Sequence, residues 1–133
     1  PGFVEGNDDY SVGVATELAG SISGNVRLMS SEERRYVHLA AIFACNFVNH
    51  CYALSADILA KHGLPFDIML PLIDETASKV HAMSPAEAQT GPAMRYDENV
   101  IRNQSRLLAN NPFVKEIYDR MSISIHQKSI SND

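Results

Sequence analysis

No glycine or proline appears between Ser30 and Gly63, and that uninterrupted stretch constrains the fold more than any other feature of the chain. Ser30 followed by Glu33 forms a capping box, in which the hydroxyl accepts from the first-turn amides while the carboxylate reaches back to the cap. The spacing predicts one helix over about residues 31 to 62, roughly 48 Å long at 1.5 Å per residue and far longer than the usual globular helix. Val37, Ala40, Ala41, Phe43, Ala44, Phe47, Val48, Leu54, Ile58 and Leu59 cover more than half of its circumference. A helix apolar on so many sides is expected to be buried by neighbours. The fold class that follows is all-α: a multi-helix domain around one long central helix.

One polar seam interrupts this apolar surface. His38, Asn46, Asn49, His50 and Asp57 fall within roughly 120° of one another on a helical wheel. Each could be satisfied separately by hydrogen bonds to packing neighbours. Taken together, the five read better as the wall of a cleft. His38 has the side chain whose ordinary pKa suits proton transfer near neutrality, as a general acid or an orienting donor. Asn46 and Asn49 offer donors and acceptors to a carbonyl, carboxylate or amide. A metal site is not expected: His38 and Cys45 lie seven residues apart, about 10 Å along the axis, and no zinc-like spacing occurs. Cys45 and Cys51 are likewise too far apart for a disulfide and read as buried thiols in a reducing compartment.

The flanking segments carry clear punctuation. Before the long helix come a strand-like Phe3-Val4, a helix from about Asp8 to Ser23, and a second strand-like piece over Val26 to Met29. Two such short strands have little to pair with in a helical domain, so residues 1 to 30 are expected to be a bridging segment or the last unit of a preceding α/β domain. After Gly63, a helix over Phe66 to about Met83 should break near Met69 and Leu70, because Pro71 removes a backbone donor. Ser84-Pro85-Ala86-Glu87 caps a short helix ending by Gly91-Pro92, Asp97 caps another to about Ala109, and Asn111-Pro112 starts a last one through about His126. Residues 31 to 127 then form the helical domain, and 128 to 133 a polar, frayed tail.

Two further groups can carry chemistry. Glu75, Thr76 and Lys79 share a helix, with Glu75 and Lys79 one turn apart and ordered for an ion pair; a solvated face is the simpler account. Gln89, Thr90, Gly91, Pro92 and Arg95 place an amide, a hydroxyl and a guanidinium around a turn able to bring backbone close to a ligand. Lys79 and Arg95 together would select an anionic substrate, unless Glu75 neutralises Lys79.

The 133 residues are enough for one domain with one core. Sixteen acidic against eleven basic residues give a formal charge of −5, and without a basic cluster nucleic acid is not an expected partner. No apolar run approaches the roughly 18 residues of a membrane span, so a cytoplasmic protein without membrane contact is expected. The opening Pro1-Gly2-Phe3-Val4 carries neither a basic nor an apolar leader and reads as the middle of something longer.

The run His38-Leu39-Ala40-Ala41-Ile42-Phe43-Ala44-Cys45-Asn46-Phe47, then Pro71-Leu72-Ile73-Asp74-Glu75-Thr76 with Lys79, then Gln89-Thr90-Gly91-Pro92-Ala93-Met94-Arg95 with Asp97, resembles a known family. It is similar to the C-terminal domain of unknown function found behind a Rossmann-like NADP-binding domain in bacterial oxidoreductases, over about residues 3 to 125. The resemblance implies a helical domain like the C-terminal domain of 6-phosphogluconate dehydrogenase, whose long helices pack between subunits of a homodimer and whose active site lies between domains. It also implies NADP as cofactor of the intact protein, bound by a preceding Rossmann-like domain, since this chain has no glycine fingerprint for a pyrophosphate. By the same resemblance His38, Asn46 and Lys79 are the candidate catalytic residues, and Glu75, Thr76, Thr90, Gly91, Pro92 and Arg95, with Asn49 and Gln89 beside them, the candidate contacts to a small-molecule substrate. The expected function is the substrate-binding and dimerisation domain of an NADP-dependent oxidoreductase. The competing expectation is a catalytically silent helical module that dimerises or binds a partner through the long helix.

Overall fold

The structure, a computed structural model, describes residues 1–131. Its regular structure is helical apart from two three-residue strands, and the chain divides into two compact units, Pro1–Ala53 and Leu54–Asp133. Asn132 and Asp133, the end of the expected tail, lie outside the described residues.

The first unit begins with β1 (Gly2–Val4), α1 (Asp9–Ile22) and β2 (Val26–Leu28). The two strands, expected to lack partners, pair with each other in parallel, with Phe3 opposite Arg27. Asp8 caps α1 by accepting from the Ser11 amide at 2.8 Å. The inner side of α1 half-buries Val12, Ala15 and Ala19, whereas Tyr10, Val14, Leu18 and Ile22, spaced four apart on another side, remain exposed.

The long helix starts where expected. Ser30 and Glu33 form both halves of the capping box, with the Ser30 amide donating to Glu33 Oε2 at 2.8 Å and the Glu33 amide to Ser30 Oγ at 3.2 Å. Glu5, at the end of β1, accepts from the Ser31 amide at 3.0 Å and from the Ser31 hydroxyl at 2.6 Å, and pairs with Arg34. These contacts tie the helix start to the sheet. Helical structure then continues to Ala60, as α2 (Ser31–Ala41), a π-helical turn (Ile42–Phe47) and α3 (Val48–Ala60).

Two expectations about this helix need correction. It is not uniformly α-helical: the π turn accommodates one extra residue, which rotates everything beyond it by about 100° relative to a regular wheel. Nor is it buried. No side chain from Ser31 to Ala60 is buried, and Leu39, Phe43 and Phe47 are 52%, 62% and 50% exposed. Phe43 and Phe47 touch edge to face, centroids 5.0 Å apart, and so shield only each other. A helical wheel shows that a surface is apolar but not which molecule covers it, and no described residue covers this one. Cys45, expected to be a buried thiol, is exposed and Cys51 half-buried.

In the second unit a 3₁₀ turn (Phe66–Met69) leads into α4 (Leu70–Ala82), with Pro71 in the first turn, where its missing donor costs nothing. The Pro85 segment forms a single turn rather than a helix: Ser84 and Glu87 make the capping box, but the chain leaves helical geometry by Gln89. Asp97 caps α5 (Glu98–Leu107) and Asn111 caps α6 (Pro112–Ile130). α6 runs past His126, where it was expected to end, because Gln127 and Lys128 are good helix formers even though polar. Where α5 meets α6, Ser105 and Ser122 are each only 8% exposed, and beside Gly91-Pro92 the side chain of Ala93 is buried.

Candidate functional site

The expected residues fall into three groups. His38, Asn46 and Asn49 belong to the long helix within the first unit, and all three are exposed. Their exposure does not set the seam apart, since apolar neighbours on the same helix are as open. The π turn does alter the seam. On a regular wheel His38 and His50 stand about 120° apart; one extra residue brings them within about 20°, while Asn49 moves to about 80° from His38. Asn46 sits inside the turn itself. Such turns are frequently found at functional sites.

Glu75, Thr76 and Lys79 lie on α4. Lys79 Nζ is 3.2 Å from Glu75 Oε1, so the neutralised alternative is the arrangement present. The Thr76 hydroxyl donates to the Leu72 carbonyl one turn back at 2.8 Å. No hydrogen bond or ion pair between described residues joins these three to the turn at 89–95.

That turn is shaped by two residues in left-handed conformations. Gly91 has φ +104°, a region that favours glycine, and Tyr96 has φ +53°, uncommon for any residue with a Cβ and a source of strain where it occurs. The Tyr96 ring stacks on His126 of α6, centroids 4.2 Å apart with 21° between planes. The Asp97 amide donates to the Pro92 carbonyl at 2.9 Å, closing the turn. The Ser129 hydroxyl lies 2.7 Å from the His126 carbonyl and 3.4 Å from the Met94 carbonyl, which seats the turn on α6. His126 Nδ1 is buried and has no hydrogen-bond partner among the described residues. Arg95 is exposed.

Between this turn and α6 lies a cleft of about 440 Å³, lined by Pro85, Ala86, Met94 and Ile125 with Glu87, Gln89, Ser124, Lys128 and Ser129. Hydrogen bonds from the Ser84 hydroxyl and amide hold the Glu87 carboxyl below the usual carboxylate range, so it stays ionised. Of the residues expected at a site, only Gln89 lines this cleft. Sequence reasoning missed Tyr96, His126 and Lys128. The two α6 residues lay in or next to a supposed polar tail, and the left-handed backbone of Tyr96 leaves no mark in residue type.

A second crevice, about 600 Å³, opens in the first unit where Glu5-Gly6-Asn7-Asp8 and Met29-Ser30 follow the carboxyl ends of β1 and β2, the edge where parallel α/β units bind ligands. Its carboxylates are Glu5, Asp8, Asp9 and Glu33. Glu5 is held low chiefly by the Ser31 hydroxyl and Glu33 chiefly by the Ser30 hydroxyl, so negative charge persists there. Such a lining suits a pyrophosphate poorly.

Residues 1–125 match the family described as domain of unknown function DUF2520. The chain belongs to the DUF2520 family. No curated protein matches it. Among solved structures it is similar to a Bacteroides fragilis protein provisionally named an NADP oxidoreductase, with 51% identity and a TM-score of 0.90 over 94% of this chain and 48% of that one. It is also similar to a Thermotoga maritima protein whose name states no activity, with 26% identity and a TM-score of 0.79 over 94% of this chain and 51% of that one. This DUF2520 chain therefore spans about half the length of either relative.

Proposed function

We propose that this DUF2520 chain is the substrate-side helical part of an NADP-dependent oxidoreductase, with the nucleotide held by the region of the relatives that the chain does not span. The observation that carries this reading is the 51% identity over 94% of the chain to the Bacteroides fragilis protein named for NADP oxidoreduction. Two features of the chain support the division of labour. The sequence has no glycine fingerprint for a dinucleotide, and the crevice at the strand ends is lined by carboxylates. In this reading the intact enzyme moves hydride between NADP(H) and a small carbonyl, imine or hydroxy acid, and works in the cytoplasm. His38 serves as proton donor, with Asn46, Asn49 and the residues of α4 and the 89–95 turn bordering the substrate.

The same reading makes Ser31–Ala60 the interface of a homodimer. By length and composition alone this helix could also cross a bilayer. A bilayer would have to accommodate His38, Asn46, Asn49 and His50 unpaired, which is costly, whereas a protein cover can supply hydrogen bonds to them. The uncovered apolar side chains also favour the second reading, a silent module for dimerisation.

Calorimetric titration of the chain with NADPH is expected to show no saturable heat; micromolar binding would overturn the division of labour. In the intact protein, His38→Ala and Lys79→Ala are expected to lower turnover at least about tenfold. Unchanged turnover in both, with association still dependent on the long helix, would favour the silent module.

A further inference from the structure

The cleft between the Ser84–Gln89 turn and α6 has features that the oxidoreductase reading leaves unused. Its apolar lining is Pro85, Ala86, Met94 and Ile125. Its charged lining is one carboxylate, Glu87, and one ammonium, Lys128. Two opposite charges lining one small cleft would be expected to close on each other, yet no ion pair within 4.0 Å joins Glu87 and Lys128. Glu87 is held in place instead by Ser84, whose amide and hydroxyl donate to Oε2 at 3.0 and 2.7 Å. Fixing that carboxylate before a ligand arrives removes part of the ordering cost of binding. Lys128 pairs with no carboxylate among the described residues. Gln89, also in the lining, donates from Nε2 to the neighbouring Thr90 carbonyl at 3.0 Å, which steadies its side chain. The Ser124 hydroxyl adds a further donor and acceptor.

We propose that this cleft binds a small zwitterion with an apolar body, of the class of a free α-amino acid with an aliphatic side chain. Its ammonium meets Glu87, its carboxylate meets Lys128, and its side chain lies against Met94 and Ile125. The volume, about 440 Å³, is at the lower end of the roughly 300–1,000 Å³ of small-molecule pockets and so favours a compact ligand. A ligand of one charge would leave the other charge of the lining unpaired or repelled, and a ligand without an apolar portion would leave the apolar lining wet. The inference does not depend on the NADP reading, because neither nucleotide nor hydride transfer enters it.

The test is methyl NMR of the whole chain, following Ala, Ile and Met signals during titration with L-leucine, with 4-methylpentanoate and with 3-methylbutylamine. Leucine is expected to shift Ala86, Met94 and Ile125 saturably, and each single-charge analogue to bind at least about tenfold more weakly. Glu87→Gln preserves the reach to Ser84, and Lys128→Met preserves the helix; each is expected to lose about tenfold in leucine affinity while keeping its circular dichroism. Glu116→Gln, on the same helix but outside the cleft, is expected to bind as the parent does. Absence of saturable shifts, equal binding of an analogue, or parental affinity in both Glu87→Gln and Lys128→Met would overturn the proposal.

Discussion

Two helical regions of this chain treat apolar surface in opposite ways. From Ser31 to Phe47 the helix buries nothing, and Leu39, Phe43 and Phe47 stay half or more exposed. Where α5 meets α6, by contrast, Ser105 and Ser122 are buried and Asp119 accepts from Lys115 one turn away at 2.6 Å. The poorer core formers are the buried ones. Small hydroxyl side chains are covered easily where two helices approach, even beside the crevice of about 420 Å³ that Ser105 and Ser122 line, whereas a run of large side chains with nothing opposite remains open however apolar it is. Self-sufficiency is thus a property of a pair of elements, and no described residue covers the first region.

The sharpest way to break that contrast is to charge the open helix. Leu39→Glu combined with Phe43→Glu is expected to weaken self-association more than 100-fold, roughly the effect of removing two central interface anchors, as read by sedimentation equilibrium. A parent chain that sediments as a monomer at all concentrations would refute the dimer instead. A smaller effect is expected at the closed pair. Ser122 is only 8% exposed, so the bulk added by Ser122→Leu must displace neighbours and should lower stability by about 1–3 kcal/mol in urea unfolding. No change there would mean that α5 and α6 are looser than their burial implies.

The smallest effect concerns pH. Glu33 and Glu87 are held below the ordinary value of 4.5, chiefly by the hydroxyls of Ser30 and Ser84. Asp119 is lowered chiefly by Lys115, then by Ser105. In each case the folded state binds the proton less readily than the unfolded chain. The stabilisation is therefore fully present above about pH 4.5 and is lost as pH falls through the lowered folded values. The melting temperature should be level from neutrality to about pH 5 and fall below that, with Glu33→Gln and Glu87→Gln each flattening the fall. A melting temperature insensitive to pH in that window would show that these caps contribute nothing in solution.

Helix starts were legible in the sequence because capping is local chemistry. Ser30 with Glu33, Asp97 and Asn111 each bond within three residues of themselves, so spacing alone identifies them. Pro71 was legible for the same reason. The π turn was not, because Ile42 to Phe47 contains no residue that demands it. The strand pairing of β1 with β2 was missed through an assumption that three-residue strands need a larger sheet. At the candidate site, Gln89 and the glycine turn were visible as turn chemistry, but Lys128 and His126 gain their meaning only from an α6 that runs past its expected end. Burial of the long helix was the largest misjudgement. Periodicity reports polarity around an axis and carries no information about which molecule supplies the opposing wall.

The extra residue between Ile42 and Phe47 sets a geometric condition on any cover for the long helix. A straight companion helix that follows the stripe of Leu39 on the upstream side would, past Asn46, find itself over a sector offset by about a quarter turn. Whatever seals this surface must therefore veer as it passes that point, or consist of two separate pieces. A partner with one unbroken heptad seam would satisfy only one of the two stretches.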